Sequence, residues 1–326
     1  MMVFLLPRRE IVRASLFVIM SLWTCMAHAN PELVAAIENV RSTCGGISAE
    51  LSDLKQMAGI NTAVTAVGTV AGGVALGTGI AKANVDKEAE KLEAELAKLR
   101  ELALDQNVLA LKTIKIDWSA VAKTMNNGKT EEIAEKEKQL EQLTDKSKNL
   151  GNWRTGSMAV GTVANIAGAV IAGNNRVKGD LKSQIDECLI SVKTLSNVRM
   201  QARVSGNASE TDLARAENIV RACEEWSMVD ISSINKKASG ATISSGVGAG
   251  LGLAGTVTSA MANTDSTRND NSESGKSKEK NLNMASNILA GGTTVASGVA
   301  TIFNATQISA IKRAVTVADK CEEALK

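Results

Sequence analysis

The 326-residue sequence predicts an all-α protein of long helices, on three observations. Pro7 and Pro31 are its only prolines, so nothing from residue 32 onward forces a helix to stop. Four windows, residues 56–81, 155–175, 238–264 and 281–311, contain no Asp, Glu, Lys or Arg. Between the first two windows, apolar residues recur at three- and four-residue steps among Glu and Lys, the period of an amphipathic helix. With 44% hydrophobic, 22% charged and 2% aromatic residues, the composition is globular and not disordered.

Residues 1–29 have the features of an export signal. Arg8, Arg9 and Arg13 form a basic patch, an apolar stretch follows, and Ala27-His28-Ala29 fits the small-x-small rule for cleavage after Ala29. An uncleaved anchor is the alternative, but the stretch is short of the ~20 residues a span usually needs. Cleavage removes three Arg and one Glu, taking Lys+Arg from 37 to 34 and Asp+Glu from 35 to 34. A mature chain of zero net charge argues against nucleic acid as a partner, because neutralising phosphates takes an excess of Lys and Arg.

The same cleavage removes His28, the only histidine, and the chain has no Tyr. The commonest general base and the commonest metal ligand are then both missing. No serine stands in a G-x-S-x-G setting, and carboxylate pairs such as Glu131 with Glu135 sit on a solvated helix face. The expectation is a non-enzymatic protein with no catalytic site, no cofactor and no metal.

The windows are built from Gly, Ala, Ser, Thr and Val, and 19 of the 26 glycines fall inside them. Gly68 with Gly72, Gly73 with Gly77, Gly246 with Gly250, and Gly248 with Gly252 are i, i+4 pairs. Ala164 with Gly168 and Ala172, and Gly292 with Ala296 and Ala300, make similar stripes. Small residues at this spacing flatten a helix face so that backbones approach closely, as in a glycine zipper or a transmembrane helix pair. A water-soluble bundle with Ala/Gly seams is one alternative. A strand arrangement is another, because Val and Thr favour strands.

Export also bears on the cysteines. Cys25 leaves with the signal, and Cys44, Cys188, Cys223 and Cys321 remain, an even number that implies two disulfides. The two halves of the chain share a plan of Cys-bearing helix, small-residue helix, connector, small-residue helix and Cys-bearing helix. They cover residues 30–200 and 201–326 as two pseudo-repeats. If the two windows of each half form an antiparallel hairpin, the flanking helices leave from one end. Cys44 lies 14 residues before Ala58 and Cys188 15 after Gly173; Cys223 lies 16 before Ser239 and Cys321 17 after Asn304. At ~1.5 Å per residue the partners stand at nearly equal height, which predicts Cys44–Cys188 and Cys223–Cys321.

The connectors differ. Residues 83–153 form an amphipathic, coiled-coil-like arm in which Leu92, Leu96, Leu99, Ala103, Leu109 and Ile114 run out. A turn is expected at Asn126-Asn127-Gly128, and Ile133, Leu140 and Leu143 run back. Residues 264–280 form a polar connector expected to be flexible. Trp153, at the edge of the second window, suits an interfacial anchor.

These features lead to an exported helical protein of the periplasm, cell envelope or medium, which associates with a membrane or with copies of itself in an envelope or pore-like role. The alternative is a soluble secreted or periplasmic structural or adhesion protein whose 83–153 arm binds a protein partner.

Overall fold

A computed structural model of the chain describes residues 30–110, 119–268 and 272–326. Residues 1–29, read above as an export signal and carrying Cys25 and His28, and Ile114 and Trp118 of the arm lie outside the described residues. Regular structure among the described residues is helical, and no strand occurs. The helices are α1 Pro31–Cys44, α2 Ile47–Ala110, α3 Ser119–Asn174, α4 Gly179–Ser205, α5 Glu210–Glu224, α6 Ile231–Ala262 and α7 Glu273–Ala324. A 3₁₀ turn covers Glu225–Met228 and a single helical turn Asp265–Arg268.

Local chemistry sets several of the ends. Asn30 caps α1, its side chain accepting from the backbone N–H of Glu32 at 3.0 Å and Leu33 at 3.2 Å, with Pro31 in the first turn. Gly46 at φ 85° separates α1 from α2, and Gly206 at φ 65° closes α4. Ser209 caps α5 through the Asp212 N–H at 3.1 Å.

Two expectations about the connectors are corrected. Helix α3 runs unbroken through Asn126-Asn127-Gly128, where a turn was expected. Asn-Gly is a strong turn signal between strands, whereas inside a long helix its glycine costs only about 1 kcal/mol. In the connector 264–280, expected as an unstructured polar link, Asp265–Arg268 form a helical turn and α7 begins at Glu273. Ser272 starts that helix by accepting from the Gly275 N–H at 3.0 Å.

The chain divides into two compact units that cut across the sequence halves 30–200 and 201–326. Among the described residues, the first gathers 30–59, Asn174–Ala238 and Ala305–Lys326. Its core is apolar: Leu33, Ile37 and Val40 of α1 pack with Leu181, Ile185 and Leu195 of α4, Ile219 of α5, Trp226, and Ile311 of α7. The second unit comprises Ile60–Gly173 and Ser239–Asn304, which include nearly all of the charge-free windows and the whole arm.

Candidate functional site

The second unit is organised by a seam that neither hydropathy nor the glycine pairs disclose. In α2 the buried positions Asn61, Thr65, Gly68, Gly72, Ala75, Gly79 and Lys82 step alternately by four and three. Helix α3 repeats this at Gly151, Arg154, Met158, Gly161, Asn165, Gly168 and Ala172. Helix α6 does so at Ala241, Ser245, Gly248, Gly252, Gly255, Ser259 and Ala262, and α7 at Ser286, Ala290, Thr293, Ser297, Ala300 and Asn304. This is the 3.5-residue period of a coiled coil, which keeps one face turned to its neighbours along a whole helix. Met158 apart, the seam positions are small or polar where a soluble coiled coil would place Leu and Ile.

Hydrogen bonds join the helices across this seam. Asn61 Nδ2 donates to Asn304 Oδ1 at 2.8 Å, Thr301 Oγ1 to Thr65 Oγ1 at 3.1 Å, and Ser297 Oγ to Asn165 Oδ1 at 2.9 Å. Among the described residues, the apolar cluster of this unit is small: Ala75, Met158 and Ala290 with Leu76 and Leu289 against it.

The outward face is the reverse. Val67, Val70, Val163, Val170, Ile243, Val257, Ile288, Val295 and Ile302 are all exposed, with Val163 and Val295 each 67% exposed. Monomeric soluble proteins rarely expose contiguous apolar patches of more than a few hundred Å², and larger ones mark interaction sites. Polar and small residues are inside and large aliphatic ones outside.

Where the windows end, the seam turns ionic. Arg154 is fully buried, and its guanidinium donates to Ser259 Oγ at 2.9 Å, Asn283 Oδ1 at 2.7 Å and Asn287 Oδ1 at 3.3 Å. Lys82, 1% exposed, pairs with Asp86 at 2.6 Å and Glu279 at 3.2 Å, and Ser147 donates to Asp86 at 2.5 Å. Sequence reasoning missed both cations. Their signal was position alone, the first charge after one window and the last before another.

The glycines expected to pack fall into two groups. A Cβ on Gly72 would meet the Thr294 backbone at 3.1 and 3.2 Å, and one on Gly252 would meet Thr162 at 2.4 Å. Gly68, Gly168, Gly248 and Gly292 are also closely approached, by Asn165 and Ser297, by Thr65, by Asn165 and by Leu251 respectively. Ala164 is buried and Ala296 half-buried. Gly73, Gly77, Gly246 and Gly250 correct the expectation, because a Cβ on any of them would meet nothing within 4 Å. Both packed pairs belong to the 3.5-residue seam, and both unpacked pairs lie off it.

Outside the windows, the arm pairs its two helices through ions. Lys136 Nζ donates to Glu95 at 2.8 Å and Arg100 to Glu137 at 2.6 Å, around buried Leu96. The hydrogen bond from Lys136 holds the Glu95 carboxyl below its ordinary 4.5, and the same bond raises the Lys136 ammonium above 10.5. Trp153 is 68% exposed beside buried Arg154.

In the first unit the structure joins Cys44 to Cys188 and Cys223 to Cys321, the two pairs that the window-to-cysteine spacing predicts. Cys44, Cys188 and Cys321 bring three sulfurs within 4.8 Å of one another. Each is committed to a disulfide, and a disulfide sulfur is not the thiolate that metals bind. The pairs suit an oxidising compartment.

No family model, no curated protein and no solved structure matches the chain. What the fold defines is a class: an all-α chain whose disulfide-linked apolar unit adjoins in sequence a bundle of polar interior and apolar exterior.

Proposed function

We propose that this chain is an exported, non-catalytic helical protein of the cell envelope whose four charge-free windows enter a lipid bilayer as one bundle. The observation that carries this is the inverted second unit. In a bilayer the outward aliphatics find an apolar solvent, while interior Asn, Ser and Thr bond between helices instead of facing hydrocarbon. Pro31–Glu101, Glu131–Ser205 and Glu273–Ala324 each carry an 18-residue stretch apolar enough to cross, with mean hydropathy of 1.6, 1.4 and 1.3. The seam from Asn61 to Lys82 spans about 32 Å at 1.5 Å per residue, close to the ~30 Å hydrocarbon core. Buried Arg154 and Lys82 then mark the level at which the bundle leaves the hydrocarbon, and exposed Trp153 stands there as an interfacial anchor. The two disulfides suit a chain that passes through an oxidising compartment, the periplasm or the medium. The arm stays in water, and a second copy of the chain is the further partner this reading admits.

Flotation of the purified protein with liposomes, followed by alkaline extraction, tests this. Co-flotation that survives extraction, with blue-shifted Trp153 emission missing from Trp153→Phe, is the expected result. A monodisperse monomer in detergent-free buffer that does not float favours the alternative, a soluble structural or adhesion protein. That alternative draws on the arm, whose ion-paired hairpin gives a partner a charged, rigid surface.

A further inference from the structure

The two disulfides of the first unit are neighbours, although their cysteines come from four different helices. Cys44, Cys188 and Cys321 hold their Sγ atoms within 4.8 Å of one another, while Cys321 is bonded to Cys223 and Cys44 to Cys188. All four are buried, at 0 to 2% exposure, in the apolar core built by α1, α4, α5 and α7. Cys321 is thus bonded to one helix and within reach of the sulfurs of two others. We propose that the four cysteines form one thiol–disulfide exchange centre with Cys321 as the shared sulfur, and that its reactant is a small thiol or dithiol. This inference does not depend on the membrane reading.

The chemistry balances in two steps. A thiolate of the reactant attacks Cys223 Sγ, forms a mixed disulfide with it, and breaks the Cys223–Cys321 bond, so that Cys321 leaves as a thiolate. That thiolate attacks Cys44 Sγ or Cys188 Sγ; one S–S bond forms, the Cys44–Cys188 bond breaks, and the displaced sulfur carries away the electron pair and takes a proton from water. The second step exchanges one disulfide for another and needs no oxidant or reductant. Its result is to move the covalent link of α7 from α5 to α1 or α4. Burial of all four sulfurs keeps a reactant away and the exchange slow while the unit is closed.

The test compares Cys223→Ser, which leaves Cys321 free beside the other disulfide, with Cys321→Ser, which leaves Cys223 free. Both oxidised proteins are incubated without reductant over a range of pH, quenched with acid, alkylated and mapped as non-reduced peptides, with circular dichroism reporting the fold. Cys223→Ser is expected to accumulate Cys321 bonded to Cys44 or Cys188, at a rate rising roughly tenfold per pH unit below a thiol's ordinary pKa of about 8.5. Cys321→Ser is expected to keep Cys44–Cys188. The proposal is overturned if Cys223→Ser retains Cys44–Cys188 with Cys321 quantitatively free at every pH, or if both variants rearrange at the same rate. If Cys223→Ser does not fold, the unmodified protein treated with a limiting dithiol decides: partly reduced chains must contain Cys321 bonded to Cys44 or Cys188, and exclusively native pairs overturn the proposal.

Discussion

A single glycine in this chain matters according to what stands opposite it. Gly72 and Gly250 both belong to i, i+4 pairs, yet a side chain at Gly72 would run into the backbone of Thr294, while one at Gly250 would meet nothing. Gly72→Leu is expected to lower stability by about 1–3 kcal/mol or more, the cost of overpacking against backbone that cannot rotate away. Gly250→Ala is expected to raise it by up to about 1 kcal/mol, through helix propensity alone. Denaturant unfolding followed by circular dichroism compares the two, and effects of equal sign would remove the steric argument. At Arg154 the cost has another origin. Arg154→Met leaves Ser259, Asn283 and Asn287 without their buried donor, at about 1–3 kcal/mol for each acceptor that finds no other. The same unfolding measurement is expected to place this variant well below Trp153→Phe, since Trp153 is exposed on the neighbouring position.

At the scale of the elements, the pairing of the arm responds to pH, and the two ends of that response have opposite signs. Glu95 titrates below its ordinary value in the folded arm, so its contribution is present above about pH 4.5 and is lost as the pH falls through the lowered value. Lys136 titrates above its ordinary value, so its contribution is present below about pH 10.5 and is lost as the pH rises through the raised value. Amide exchange across residues 83–101 and 131–153, corrected for its intrinsic pH dependence, is expected to show fastest opening at both extremes. Glu95→Gln removes the acid limb and weakens the alkaline one, and an unchanged acid limb in that variant would assign the response elsewhere. The helices themselves were legible in the sequence, because the absence of proline and the three- and four-residue steps both follow from helix geometry. The ends of the arm were not. Asn126-Asn127-Gly128 carries a turn signal learned from hairpins of strands, and a helix as long as α3 absorbs it. The polar run after Ser272 looked unstructured because it lacks apolar residues, yet Ser272 caps it and its Glu and Lys are good helix formers.

For the molecule as a whole, the cysteine pairing was legible because equal spacing from window to cysteine is a length argument, and lengths survive without knowledge of side chains. The seam was hidden for the converse reason. A 3.5-residue period is normally found through Leu and Ile, and here Gly, Ala, Ser and Asn carry it while Val and Ile occupy the outside, so the hydrophobic pattern points away from the buried face. That inversion separates the two accounts of the protein by a substitution. Val163 and Val295 lie near the middle of their windows and are each 67% exposed. In water, lysine there would be an ordinary surface residue, within about 0.5 kcal/mol of the parent. At the centre of a bilayer-spanning helix each lysine costs about 2.5–3.5 kcal/mol, because its ammonium has to leave water or drag water in. Val163→Lys with Val295→Lys is therefore expected to keep its helical content and its disulfides while losing most of its flotation with liposomes. Val34→Lys, on an exposed position of the apolar-cored unit, is expected to float like the parent. Should the double variant float as well as the parent, the outward aliphatics do not face lipid, and the inverted bundle must cover that face with protein instead.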